Sequence, residues 1–132
     1  MTAKLLLVDD DAEILSVQRR ILERESLAVD TTQDASEALS MTKANNYDLI
    51  ITDLIMPNFD GIELILSLRR SSTPPKVIAT SGGCRSGSLC SLRAARLCGA
   101  TEVLSKPFSR DDLLTAVNYA LNTEDEATNR PC

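Results

Sequence analysis

Short apolar runs alternate along this chain with longer segments in which apolar residues recur every three or four positions. The short runs are rich in Leu, Ile and Val and have strand length, whereas the longer segments have the periodicity of amphipathic helices. The predicted strands span residues 4–9, 27–31, 49–53, 76–81 and 101–105. This alternation predicts an α/β fold, a parallel sheet of five strands with helices on both faces.

Helices are predicted after each of these strands, at residues 11–24, 34–44, 61–70, 89–98 and 109–121. In the first helix, Ile14, Val17 and Ile21 recur at helical spacing. The third helix ends before a Ser-Ser-Thr-Pro-Pro segment, since the residue before a proline disfavours helical geometry. Its residues expected to face inward are Ile62, Ile65, Leu66 and Leu68.

Two helix starts carry the pattern of a capping box, in which a polar residue and a residue three positions later exchange hydrogen bonds with the backbone. Asp34 and Glu37 have this spacing in the second helix, and Ser109 and Asp112 have it in the last. Residues 82–88 are mostly Gly and Ser, which predicts a mobile loop before the fourth helix.

The chain length of 132 residues suits one domain with little room for a second module. We expect this domain to occupy residues 1–121 and the polar residues 122–132 to form a disordered tail. A separate DNA-binding output domain is therefore not expected.

The balance of charged residues indicates which kinds of binding partner are not expected. The sequence has 14 Lys and Arg residues against 19 Asp and Glu residues, which gives a net charge of -5. An acidic chain of this kind argues against binding to DNA or to a membrane surface. The apolar run at residues 5–8 is too short for a signal peptide or a spanning helix, so we expect a cytoplasmic protein without membrane insertion.

Several catalytic classes are excluded because the chain contains no His. Catalytic sites of the Ser-His-Asp or Cys-His kind cannot form within it. Its four cysteines lack the close pairs typical of structural zinc sites, so structural zinc is not expected.

Polar residues lie at the carboxyl ends of four of the predicted strands. Asp9, with two acidic neighbours after it, ends the first strand, Asp53 ends the third, Ser81 ends the fourth and Lys106 follows the fifth. In an open α/β sheet these carboxyl ends meet at one crevice. Taken singly, Asp53 could be a turn residue and one of the three adjacent aspartates a helix cap. Their joint placement favours a functional site.

Carboxylates gathered in one crevice require a counter-charge. Two unit charges about 4 Å apart repel by about 4 kcal/mol at an effective dielectric constant of about 20. Ligand sets made only of oxygen favour a hard cation such as Mg²⁺. Lys106 offers a compact positive charge and Ser81 a hydroxyl, and both suit phosphate oxygens. The combination indicates phosphoryl transfer onto a carboxylate.

Four motifs in this order resemble those of the receiver domain of two-component response regulators. They are LLLVDDD at residues 5–11, TDLIMP at 52–57, IATSG at 78–82 and LSKPF at 104–108. The resemblance runs from about residue 4 to residue 121 and implies the flavodoxin-like (βα)5 fold, with strand order 2-1-3-4-5. It further implies a signalling protein and not a multi-turnover enzyme.

By this resemblance Asp53 accepts a phosphoryl group from a histidine kinase or a histidine phosphotransfer protein. Mg²⁺, or Mn²⁺ in its place, is then bound directly by Asp10 and through water by Asp9. Asp53 and the backbone carbonyl of Ile55 complete the protein ligands.

The resemblance also implies roles for Lys106 and Ser81 and a way in which the signal leaves the site. Lys106 neutralises phosphate oxygens, and Ser81 hydrogen-bonds the phosphate and draws the following loop inward. A conformational shift then signals to a downstream protein. The family often has an aromatic residue three positions before the lysine, where this chain has Val103. We therefore expect the Gly-rich loop after Ser81 to carry the signal.

Three other interpretations stay open at this point. A receiver-like interaction module would work without phosphorylation. A small Mg²⁺-dependent phosphatase of the haloacid-dehalogenase type would use Asp9 and Asp11 as its paired acids, but it needs a further acidic pair near the metal, and Asp111 with Asp112 falls at a predicted helix start. A flavin carrier of the same fold would need a phosphate-binding loop where this chain has three aspartates.

Overall fold

The computed structural model describes residues 3–56, 59–71, 74–82 and 99–122. The strands within these residues are β1 Lys4–Val8, β2 Ala28–Thr32, β3 Leu49–Asp53, β4 Ile55–Met56, β5 Phe59–Asp60, β6 Lys76–Gly82 and β7 Glu102–Lys106. The helices are α1 Ala12–Glu23, α2 Ala35–Ala44, α3 Gly61–Arg69 and α4 Arg110–Asn122. The helix predicted at residues 89–98, the preceding loop from residue 83 and the tail from residue 123 lie outside the described residues.

Five of the strands form one parallel sheet in the order β2-β1-β3-β6-β7. Numbered along the chain, these strands have the order 2-1-3-4-5, so the predicted fold class and topology are confirmed. The strand β3 is central and buried along its whole length, because the sheet is covered on both faces. A short antiparallel hairpin of β4 and β5, which the sequence did not predict, follows it.

Alternate residues of the central strands pack into two separate cores. Leu5 and Leu7 of β1 face the side covered by α1 and α4. Leu6 and Val8 face the opposite side, which α2 and α3 cover. The molecule therefore has three layers, with the sheet in the middle. Among the described helices, none has the length and hydropathy needed to cross a bilayer.

The buried faces of two helices differ from what the apolar spacing suggested. On α1 the buried side chains are Leu15, Gln18 and Leu22, so the stripe of Ile14, Val17 and Ile21 lies beside the buried face. Val17 is 57% exposed. On α3 the buried residues are Leu64, Ile65 and Leu68. Leu66, predicted to face inward, is 39% exposed, because the helix turns its 64–65–68 face to the sheet.

The first turn of α2 is capped, although not by the predicted capping box. Asp34 caps the helix by accepting a hydrogen bond from the N–H of Ser36 at 2.8 Å. Glu37, however, accepts from the hydroxyl of Thr32 instead of from the Asp34 backbone. The hydroxyl of Thr32 itself accepts from the Asp34 N–H at 3.2 Å, so that backbone donor is already satisfied.

The other two caps agree with the sequence. Asp11 caps α1, its carboxylate accepting from the N–H groups of Glu13 at 2.9 Å and Ile14 at 3.4 Å. At the start of α4 the predicted capping box is confirmed. The Ser109 hydroxyl accepts from the Asp112 N–H at 3.0 Å, and the Asp112 carboxylate accepts from the Ser109 N–H at 3.1 Å.

A polar network closes the amino-terminal edge of the sheet. The hydroxyl of Tyr47 donates to the carboxylate of Asp30 at 2.7 Å. Lys4 places its ammonium 4.0 Å from the same carboxylate and 5.2 Å from the centre of the Tyr47 ring, and it donates to Asn45 at 3.1 Å. Burial and the charge and hydrogen bond of Asp30 raise the pKa of Tyr47 above its ordinary value.

Candidate functional site

Three carboxylates meet where β1 and β3 end at the carboxyl edge of the sheet. Asp9 directly follows β1, and Asp53 is the last residue of β3. Both are buried, with 2% and 6% of their surfaces exposed, whereas Asp10 is exposed. One carboxylate oxygen from each of the three lies within 4.8 Å of the others. The sheet thus holds the acidic residues from two strands at one point.

Lys106, at the end of β7, bridges the two buried carboxylates. Its ammonium lies 2.6 Å from Asp9 Oδ2 and 3.4 Å from Asp53 Oδ2. Burial alone would lower the pKa of Lys106, but the hydrogen bond to Asp9 and the negative charges of Asp53 and Asp9 outweigh it and raise the pKa above its ordinary value. Lys106 is therefore a permanent cation at neutral pH. The peptide bond from Lys106 to Pro107 is cis.

The acidic loop is fixed by contacts with the end of β2. The N–H of Asp9 donates to the carbonyl of Thr32 at 3.2 Å, and the amide of Gln33 donates to the carbonyl of Asp10 at 3.0 Å. The N–H of Asp11 donates to the carboxylate of Asp9 at 3.0 Å. Sequence reasoning missed Thr32 and Gln33. The available signal was the position of both at the carboxyl end of β2, next to β1.

Ser81 lies on β6 between the positions that pair with Asp53 and with Lys106. Thr80 is the register partner of Asp53, and Gly82 is the register partner of Lys106. Ser81 is 1% exposed, and its Oγ has no hydrogen-bond partner among the described residues. A buried hydroxyl without a partner is unfavourable unless another molecule supplies the missing hydrogen bond.

The structure places the remaining predicted residues as follows. Ile55 opens β4 two residues after Asp53, and its side chain lies outside the described residues. Val103 is partly buried and packs on the core beneath α2 and α3. Asp111 and Asp112, the late acidic pair that a phosphatase would need at the metal, lie in the first turn of α4, where Asp112 serves as a cap.

The donor set fits a hard divalent cation. Three carboxylates are opposed by one ammonium in this cluster, so the group retains net negative charge. All the candidate ligands are oxygen atoms, which Mg²⁺ and Mn²⁺ prefer. Asp10, whose carboxylate is exposed, leaves one side of the cluster open to solvent. The residues present can therefore hold such an ion together with a phosphate.

An apolar groove adjoins this cluster through Lys106. It has a volume of about 490 Å³ and lies between α1 and the segment that joins β7 to α4. The apolar lining residues are Ile14, Val17, Ile21, Pro107, Phe108 and Leu113. The stripe of Ile14, Val17 and Ile21 on α1 therefore forms one wall of this groove.

Comparison with solved structures agrees with the fold. A CheY-like response regulator receiver domain from Methanospirillum hungatei matches with a TM-score of 0.84 and 28% identity, covering 98% of each chain. The beryllofluoride-activated NtrC4 receiver domain dimer matches with a TM-score of 0.81 and 33% identity, covering 89% of this chain and 95% of that chain.

Sequence comparison gives the family. The transcriptional regulatory protein ResD of Bacillus subtilis is 35% identical over 118 residues, which cover 89% of this chain and 48% of ResD. The chain thus spans about half the length of the curated relatives it matches. The expectation that it contacts no DNA gains no support, because ResD is named a transcriptional regulator. The model of the response regulator receiver domain matches residues 5–118, and the chain belongs to this family.

Proposed function

We propose that Asp53 accepts a phosphoryl group from a phosphohistidine of a histidine kinase or a histidine phosphotransfer protein. The observation that carries this proposal is the buried carboxylate of Asp53, which lies in a cluster of three carboxylates and 3.4 Å from the ammonium of Lys106. A buried acid beside a fixed cation suits a reaction in which negative charge builds on a transferring phosphoryl group. The donor histidine belongs to the partner, since this chain has none.

The transfer itself exchanges one bond for another. An oxygen of Asp53 forms a bond to phosphorus while the bond from phosphorus to the donor imidazole nitrogen breaks, and that electron pair returns to the nitrogen. Lys106 shifts its ammonium contact from the carboxylate to the phosphoryl oxygens. Ser81 then donates its unpartnered hydroxyl to one of those oxygens, which satisfies the buried group.

The carboxylates of Asp9 and Asp10 would hold Mg²⁺, or Mn²⁺, with Asp53 and the backbone carbonyl of Ile55. When bound, the ion neutralises charge on the phosphoryl group during transfer. Asp9 already contacts Lys106 and the Asp11 N–H, so it would act on the ion through water, while the exposed Asp10 would bind it directly. These roles accord with the all-oxygen composition of the cluster.

The groove beside Lys106 offers a docking surface for the protein that donates the phosphoryl group. Its apolar wall on α1 includes Val17, which is 57% exposed. An exposed apolar patch next to a reactive group is typical of a protein contact. A partner seated there would lie beside Lys106, which contacts the carboxylate of Asp53.

The remaining parts of the proposal concern organisation. We infer a receiver domain over residues 1–121, a polar tail over 122–132, and a cytoplasmic location where histidine kinases act. The phosphorylated form signals by a conformational shift to a downstream protein.

Incubation with acetyl phosphate and Mg²⁺ tests the proposal. We expect a single phosphoryl group, mapped by peptide mass spectrometry to Asp53, and none in the Asp53→Asn variant. Asp48→Asn is the matched control, because Asp48 lies at the opposite end of β3 and should leave phosphorylation intact. Absence of an acyl phosphate on Asp53 in the parent chain contradicts the proposal. Continuous turnover of a generic phosphatase substrate would instead favour the phosphatase alternative.

A further inference from the structure

The loop that carries the acidic residues depends on contacts from outside it. Three adjacent carboxylates between β1 and α1 repel one another, so this backbone needs bracing. Asp9 is held by its N–H donating to the Thr32 carbonyl and by its carboxylate accepting from Lys106. Asp11 is held because its carboxylate caps α1. For Asp10, the one hydrogen bond recorded among the described residues is accepted by its carbonyl oxygen, from Gln33.

Gln33 reaches Asp10 from the neighbouring strand. The register of β1 and β2 pairs Val8 with Thr32, so Gln33 follows β2 next to the point where the acidic loop leaves β1. Its Nε2 donates to the Asp10 carbonyl at 3.0 Å across a separation of 23 residues. The contact is therefore a tertiary brace between two loops, and a local turn cannot replace it.

We propose that Gln33 is a positioning residue, which orients the metal-binding carboxylate of Asp10 by holding the peptide group between Asp10 and Asp11. This inference rests on the proposed function, because it gives Asp10 the role of a direct metal ligand. Holding the carbonyl restricts rotation of the peptide that follows the Asp10 Cα, and so limits the directions in which the Cα–Cβ bond can present the carboxylate. Gln33 touches neither the ion nor the phosphoryl group.

The chemistry of Gln33 suits this task. Its amide is neutral, so it donates a hydrogen bond without adding a charge that would compete with the cation. Partners of metal ligands that lie outside the coordination shell tune metal affinity, and their loss typically weakens it by about 10–100-fold. The Gln33 contact is solvent-exposed, so its contribution should lie at or below the lower end of that range.

The test compares Gln33→Met with Ser36→Met by titration of the metal-free protein with Mg²⁺ in a calorimeter. Methionine keeps the length of Gln33 and removes its N–H donor. Ser36 is an exposed residue of the same segment, and its hydroxyl makes no hydrogen bond among the described residues. We expect Gln33→Met to raise the Mg²⁺ dissociation constant about three- to tenfold. Ser36→Met should match the parent chain.

Two measurements on the metal-free protein separate positioning from a general loss of stability. Amide exchange at Asp11, whose N–H donates to Asp9, should become faster in Gln33→Met, while the midpoint of thermal unfolding stays that of Ser36→Met. Gln33→Asn, whose amide is one carbon shorter and cannot span the same distance, should weaken Mg²⁺ binding as Gln33→Met does.

An unchanged Mg²⁺ dissociation constant in Gln33→Met overturns the inference, and so does a fall in the thermal midpoint that accounts for the weaker binding. In either case a parent chain that binds Mg²⁺ and is phosphorylated on Asp53 leaves the proposed function standing. Failure of the parent chain to bind Mg²⁺ overturns both.

Discussion

At the scale of single residues, the carboxylate cluster combines repulsion between like charges with attraction to one cation. Asp9 and Asp53 are buried acids that repel each other, and Lys106 bridges them with a cation. Removing one partner from a buried ion pair is strongly destabilising, because the remaining charge keeps its desolvation penalty. The ammonium of Lys106 therefore stabilises the metal-free fold as well as serving the proposed chemistry.

Lys106→Met should lower the free energy of unfolding of the metal-free protein by about 2 kcal/mol, less than the ~3–5 kcal/mol of a fully buried pair because the lysine keeps some contact with water. Addition of Mg²⁺ should recover most of this loss, since the ion then supplies the missing positive charge. Urea unfolding with and without Mg²⁺ measures both. Lys76→Met, at the opposite end of β6, should show neither effect, and a Lys106→Met loss that Mg²⁺ does not reduce would contradict the bridging role.

Tyr47→Phe should destabilise the protein by about 1 kcal/mol at pH 7, because the hydrogen bond to Asp30 is lost. The pKa of Tyr47 is raised in the folded state, so its stabilising contribution is full below its unfolded pKa of about 10 and falls as the pH rises above that value. The difference between parent and variant should therefore shrink from pH 7 to above pH 10. Urea unfolding at both pH values measures it, and a constant difference would contradict the linkage.

At the scale of elements, the sequence predicted what depends on the chain itself. The apolar runs predicted five strands, and the ends of those strands predicted that Asp9, Asp53 and Lys106 would meet. These features follow from strand periodicity and from the geometry of parallel sheets. Most strand boundaries in the structure differ by one residue from the predicted ones. A difference of this size is within the uncertainty of where an apolar run ends.

Features set by contacts between elements could not be predicted in this way. The rotation of α1, which buries Gln18 and exposes Val17, depends on how the helix meets the sheet and α4. Thr32 donates a hydrogen bond to Glu37, and Gln33 donates one to the carbonyl of Asp10. These residues come close together only after β1 and β2 pair. Local propensity carries no information on such pairs.

Val17, the exposed residue of the α1 stripe, allows a test of the proposed docking surface. Val17→Asp places a charge in the apolar groove. The donor for the test is the histidine kinase that phosphorylates the parent chain fastest. With this kinase, phosphorylation of Val17→Asp should be slower by about tenfold or more, which corresponds to a loss of about 1.4 kcal/mol in transition-state binding. Phosphorylation by acetyl phosphate should be unchanged, since a small donor needs no groove. Leu66→Asp, on the exposed face of α3, is the control with a similar change. Equal slowing with both donors would show damage to the site itself.

At the scale of the whole molecule, the proposed signal is a shift between two conformations whose balance depends on differential contacts of the phosphoryl group. Ser81 is a candidate for such a contact, because its buried hydroxyl has no partner among the described residues and a phosphoryl group on Asp53 would supply one. The Gly-rich loop at residues 82–88 follows it directly. Coupling between the two would carry the signal away from Asp53.

Ser81→Ala should leave the metal-free protein as stable as the parent or up to about 1 kcal/mol more stable, because an unsatisfied buried hydroxyl is removed. The same variant should bind beryllofluoride with Mg²⁺ more weakly. It should also lose most of the change in amide exchange over residues 81–88 that the mimic produces in the parent chain. Ser105→Ala, the exposed register partner, should behave as the parent. No exchange response in the parent chain would contradict the role of the loop.

The ion pairs of Lys106 span 97 residues to Asp9 and 53 residues to Asp53. During synthesis, the two acids emerge from the ribosome long before the lysine that completes their charge balance. If Asp53 accepts a phosphoryl group as proposed, a nascent chain that ends before β7 would carry this acid without the cation that balances its charge. Phosphorylation would then be restricted to chains in which β7 has joined the sheet.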